Sequence, residues 1–150
     1  MNGSESTFET RQYLSKGLHV SAECSQAEVV QYLLQKKVDL ELTLNACTPL
    51  GAAVDALHVD VVQKLLARSQ VSLRPCRPMF VAAGQKWENL SPEKAHAHRA
   101  ILNLLVADAR IDWAQRDYNG RTFLSYAAES GFVELFDICA RFRVTEIMSN

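Results

Sequence analysis

Apolar residues recur along this chain at spacings of three and four, in short blocks broken by turn residues, and nowhere in a sustained alternation. The pattern predicts short amphipathic helices. In DYNGRTFLSYAAESGF (residues 117–132), Leu124, Ala127 and Ala128 share one helical face, and Gly131 offers the left-handed position that ends the helix after about two turns. Asn119 and Gly120 are expected to supply the positive φ angles of a two-residue hairpin turn, with Thr122 as helix cap. A second apolar helix is predicted from Phe132 to Phe142.

The same helix, turn and helix recurs. TFLSYAAESGFVELFDICA (122–140) matches TPLGAAVDALHVDVVQKLLA (48–67) in its Thr cap, the Leu two residues later, the Ala at the sixth position and the apolar pair further on. KGLHVSAECSQAEVVQYLLQ (16–35) places Leu18, Ala22, Val29, Val30, Leu33 and Leu34 in that register with a degraded cap. RPMFVAAG (77–84) keeps the Pro and the Ala pair and resumes at AILNLLVA (100–107). Starts at 16, 48, 77 and 122 are 32, 29 and 45 residues apart.

These residues resemble the ankyrin repeat, a turn followed by a Thr-Pro-Leu-His-x-Ala inner helix and a Val-Val-x-x-Leu-Leu outer helix. The resemblance covers residues 16 to about 142 and is most specific where TPL joins VDVVQKLL and where DYNGRT leads into LSYAAESG. Gly51 and Ser125 stand where the family has its His, Leu57 where an inter-helix Gly is expected, and Phe123 replaces the Pro. The implied fold is an all-α solenoid of about four repeats, the third enlarged by an insertion between its helices. Its domain plan is an N-terminal cap over residues 1–15, repeats over 16–147, and a tail at 148–150. Physical logic points the same way: helix pairs with one small apolar face must stack on their neighbours to make a continuous core. Ala22, Ala53, Ala82, Ala83, Ala127 and Ala128 let inner helices approach, and Val61, Val62, Leu65, Leu66, Ile101, Leu104 and Leu105 fill the space under the outer ones. A charge or bulk at Ala53 is expected to disrupt the stack.

Composition narrows the function classes. A chain of 150 residues, 48% of them hydrophobic, can bury a core of its own. Sixteen Lys and Arg against 17 Asp and Glu leave a net charge of -1, so no global field draws the protein to nucleic acid or to an anionic membrane. The apolar runs fall short of the roughly 18 to 20 residues that span a bilayer, and MNGSESTFETRQ lacks the order of a secretion signal. Cys24, Cys47, Cys76 and Cys139 show no Cys-x-x-Cys pairing and read as reduced, buried thiols. A soluble intracellular protein is expected, cytoplasmic or nuclear. NGRTFLSYAAESG is also similar in style to ankyrin repeats abundant in filamentous fungi. The chain reads either as a small complete protein or as a piece of a longer array.

The 45-residue interval holds about 12 residues beyond the roughly 33 of a standard unit. Ser91 as cap, Pro92 in the first turn and Glu93 at the positive end predict a lengthened outer helix over 91–107, leaving 84–90 as a loop. Trp87 on that loop either anchors a partner or plugs the groove between repeats three and four. His96 and His98, two apart, point about 200° apart on a helix and cannot chelate one metal together. Neither is expected to matter for folding. No metal, cofactor or catalytic motif is read, and Ser125 reads as a backbone-bonding residue rather than a nucleophile.

The exposed side of the inner helices falls at the fifth, eighth and ninth positions of each repeat: Val20, Glu23 and Cys24; Ala52, Asp55 and Ala56; Val81, Gly84 and Gln85; Tyr126, Glu129 and Ser130. Glu23, Asp55 and Glu129 form either an ordinary solvated face or a concave acidic stripe, with Tyr118, Arg121 and Tyr126 at one end. The resemblance implies a non-enzymatic adaptor that binds a protein or peptide, one with a basic segment in the stripe reading. The alternative is a small-molecule site or acid–base chemistry under the 84–90 loop, using Glu88, His96 or His98.

Overall fold

The computed structural model describes residues 3–73, 82, 89–112, 114–131, 133, 134, 136, 137, 140 and 141. Expectations for Cys76, Ala83, Trp87, Glu88, Phe132, Cys139 and the C-terminal tail lie outside them. Regular structure among the described residues is α-helical, in six bounded helices with two isolated β-bridges. None of these helices is long and apolar enough to cross a membrane. The chain divides into two units, Met1–Ser72 and Leu73–Asn150.

The first unit holds α1 (Gly3–Glu23), α2 (Ala27–Leu33), α3 (Pro49–Asp55) and α4 (Val59–Leu66). α1 packs on α2 and α3, and α4 packs on α3 and α2, which makes two stacked helix pairs in two layers. Ala22 and Ala53 are fully buried, as are Leu18, Val30, Val54, Val61 and Val62. Each Val or Leu removed from water there contributes about 1.5–3 kcal/mol. Thr48 caps α3 through its hydroxyl, which accepts from the Gly51 N–H at 3.2 Å, with Pro49 in the first turn. Residues 3–23 form one unbroken helix, so no helix end marks the expected boundary at 15/16.

Turn geometry repeats more faithfully than turn sequence. Three residues separate the helices of each pair, and the middle one is left-handed: Ser25 at φ 58° and Leu57 at φ 62°. After Ser25, the Gln26 N–H donates to the Ser21 carbonyl at 2.9 Å; after Leu57, the His58 N–H donates to the Ala53 carbonyl at 2.9 Å. Both are the six-to-one bond of a Schellman cap. Gly131 at φ 68° ends the sixth helix in the same conformation.

The second unit contains α5 (Pro92–Val106) and α6 (Phe123–Ser130). The Ser91 hydroxyl accepts from the Lys94 N–H at 3.4 Å, and Ile101, Leu102, Leu105 and Val106 are buried on α5. Before α6 the chain turns through Asp117–Gly120, with Gly120 N–H donating to the Asp117 carbonyl at 3.0 Å. Gly120 alone has positive φ there, at 73°; Asn119 does not, so the expected two-residue turn is replaced by a three-residue loop ending on the glycine. Asp117 is the reason. Its Oδ1 accepts from the N–H groups of Asn119 and Arg121, both at 2.9 Å, which holds the longer loop. The two-residue form occurs instead at Asn45 (φ 53°) and Ala46 (φ 61°), where Leu44 and Cys47 exchange both backbone bonds and Thr43 stands in the place of the aspartate.

Candidate functional site

Around the 117–121 loop a polar cluster is built from residues close in sequence. The Tyr126 hydroxyl donates to Asp117 Oδ2, and Arg121 lies over the Tyr126 ring at 4.0 Å from its centroid while pairing with Glu129. The hydrogen bond from Tyr126 holds the Asp117 carboxyl below its ordinary range and pushes the tyrosine up; Glu129 raises Arg121 in the same manner. All partners are charged or hydrogen-bonded, so the cluster fixes the loop against α6 and leaves no activated acid or base. Tyr118 projects beyond it, 79% exposed. At the start of α6 the Thr122 N–H donates to Ser125 Oγ at 3.3 Å, the backbone-bonding role expected of Ser125.

In the first unit Glu23 and Asp55 are the last residues of α1 and α3, two helices that pack on each other. Both are exposed, and both act on the Cys47 thiol, whose pKa is raised first by burial and then by Asp55 and Glu23. A thiol held protonated is a poor nucleophile. Cys24 is exposed rather than buried, because it stands in the solvated turn after α1. Val20 is exposed as the register predicts, but Ala52 is buried: a methyl group is short enough to be covered by the packing around it. Of the three acidic candidates, Glu23 and Asp55 belong to the first unit, and Glu129, in the second, pairs with Arg121.

Histidines hold the helix pairs together. His19 is buried in α1 and its Nε2 donates to the Cys47 carbonyl at 2.9 Å, tying α1 to the hairpin before α3. His58 Nε2 donates to the Glu23 carbonyl at 3.0 Å, tying the α3–α4 turn to the end of α1. Sequence reading missed both. The signal for His19 was present, since it stands three residues after Lys16 as Gly51 does after Thr48. His98 corrects an expectation: it is 2% exposed and donates Nε2 to the Ala82 carbonyl at 2.5 Å, so it belongs to the core, whereas His96 is exposed. Burial lowers the His98 pKa despite that bond.

Among the described residues, no three His, Cys, Asp or Glu side chains gather closely enough to hold a metal ion. Trp87 and Glu88, on which the loop-pocket reading depended, lie outside those residues. Compared with models of known protein families and with curated proteins, the sequence matches none.

Proposed function

We infer that the chain is an ankyrin-type repeat solenoid acting as a non-enzymatic binding module, whose ligand is a basic or amphipathic segment of another protein. The observation that carries this reading is the placement of exposed Glu23 and Asp55 at equivalent ends of two packed helices. Support for the repeat comes from the left-handed residue nine positions beyond the expected starts at 16, 48 and 122, at 25, 57 and 131. Both carboxylates face water, where charges steer association more than they stabilise a fold. Exposed Tyr118 adds an aromatic contact of the kind that anchors partners.

The test uses a lysine-rich amphipathic helical peptide and the double variant Glu23→Ala/Asp55→Ala. Association should slow several-fold, to about a tenth of the wild-type rate at low salt, and lose most of its salt dependence. The melting temperature should barely move. An unchanged rate and salt slope would remove the acidic pair from the binding surface.

A further inference from the structure

Between α1 and the segment leading to the hairpin lies a cavity of about 540 Å³. Arg11, Lys36, Lys37 and Arg68 line it together with Asp39 and Glu41. A size of this order suits a small ligand. Its walls are fixed by partly buried hydrogen bonds. Ser15, 1% exposed on α1, donates to the Arg11 carbonyl at 2.6 Å and accepts from the Asp39 N–H at 2.8 Å, which pins the segment against the helix. Asp39 Oδ1 accepts from the Glu41 N–H at 2.9 Å, and Glu41 Oε1 accepts from the Ser72 N–H at 2.9 Å.

One oxygen is left over. Glu41 Oε2 is buried and has no hydrogen-bond partner among the described residues. A buried carboxylate oxygen without a donor is costly, and a bound molecule carrying a donor would relieve that cost. On the same cavity, Arg11 and Lys37 carry no ion pair among the described residues, and Lys36 lies over the Tyr32 ring at 4.6 Å. Cations ready for an anion and an acceptor awaiting a donor thus share one cavity.

We propose that this cavity binds a phosphorylated polyol, its phosphate held by Arg11, Lys36 and Lys37 and one of its hydroxyls donating to Glu41 Oε2. Guanidinium and ammonium groups match phosphate oxygens, and a carboxylate matches a hydroxyl donor. A simple inorganic anion would satisfy the cations and leave Glu41 unanswered. The proposal goes beyond the binding surface inferred above and uses none of its residues, so either can fail alone.

The chemistry reaches a protein as a free sugar phosphate or as a phosphorylated inositol headgroup, and the experiment separates them. Titration calorimetry on the full chain would use glucose 6-phosphate, inorganic phosphate and glucose; flotation would use phosphatidylcholine vesicles with and without phosphatidylinositol 4-phosphate. Saturable binding of glucose 6-phosphate, tighter than inorganic phosphate and absent for glucose, supports the free ligand; binding confined to the phosphoinositide vesicles supports the headgroup. In either case Lys37→Glu, at an exposed position, should weaken binding about tenfold or more. Glu41→Gln, checked by its melting curve, should weaken the phosphorylated polyol while leaving inorganic phosphate unweakened, and Arg11→Gln provides a second variant of the phosphate side. No binding in either arm, or binding that Lys37→Glu and Arg11→Gln leave unchanged, overturns the proposal. Equal losses for the polyol and for inorganic phosphate in Glu41→Gln overturn the role of Glu41.

Discussion

A buried imidazole committed through one nitrogen to a carbonyl accepts a second proton reluctantly. At His98 burial outweighs the carbonyl of Ala82, and the folded pKa lies below the ordinary value. The unfolded chain therefore binds more protons over the interval between the two values. The stability that His98 contributes is present above the unfolded pKa of about 6.5 and is lost as the pH falls through the folded value. Replacing it by glutamine, which can also donate to Ala82, should flatten the stability-against-pH curve below about pH 6.5. Chemical denaturation at a series of pH values reads this directly, and a slope as steep as in wild type would show that another group sets it. His96→Ala, at an exposed position on the same helix, should stay within about 0.5 kcal/mol of wild type. Sequence could say that the two histidines point apart, because helical geometry requires it. It could not say which one faced inward, since the partner carbonyl at Ala82 lies 16 residues away.

At the scale of the element, helix ends set the geometry and residue choice follows loosely. Ser25 and Ala46 sit in left-handed backbone with exposed side chains, where a Cβ atom costs about 1 kcal/mol relative to glycine. Ser25→Gly and Ala46→Gly should each stabilise the protein by about 0.5–1 kcal/mol, less whatever the added freedom of the unfolded chain returns. Gly131→Ala should do the reverse, by about 1 kcal/mol, and a Cβ there would meet nothing within 4 Å, so the loss is purely of backbone origin. Urea midpoints at constant m-value measure all three; stabilisation by Gly131→Ala would contradict the turn geometry. The helices themselves were legible because their caps and apolar spacing are local: Thr48, Ser91 and Gly131 each act within a few residues. The hairpins were less so. Asn119–Gly120 looks like the tighter turn, yet the Asp117 carboxylate two residues upstream selects the longer one. Asn45–Ala46 forms the tighter turn without a glycine, because the two backbone bonds that Leu44 and Cys47 exchange close the chain around it.

Across the whole molecule the two units carry titrating groups of opposite sign. In the first, burial raises the pKa of Glu41, with Asp39 adding to it and the Ser72 N–H opposing. A raised carboxyl contributes stability when protonated, present below its unfolded pKa and lost as the pH rises through the folded one. In the second, His98 contributes above the ordinary histidine value and loses that contribution on acidification. Lowering the pH from about 7 to about 5 should therefore reduce amide protection in residues 92–106 relative to 27–66. Hydrogen exchange, corrected for intrinsic rates, tests it, and a uniform change across both units would count against it. The acidic candidates show where sequence reading stopped: Glu23, Asp55 and Glu129 share a register, but nothing in that register announces that Arg121, from the loop before α6, pairs with Glu129. Register assigns faces to residues. It does not assign them partners, and the cavity beside Glu41 arises from irregular backbone that no periodicity describes.

Three left-handed helix ends carry a lesson for anyone who would redesign such a chain. Serine, leucine and glycine occupy positions 25, 57 and 131, and by spelling they have nothing in common, yet their φ angles are 58°, 62° and 68°. A turn of this kind is specified by that angle, leaving the residue that adopts it open to choice. A blueprint written in dihedral angles would recognise copies that an alphabet counts as unrelated.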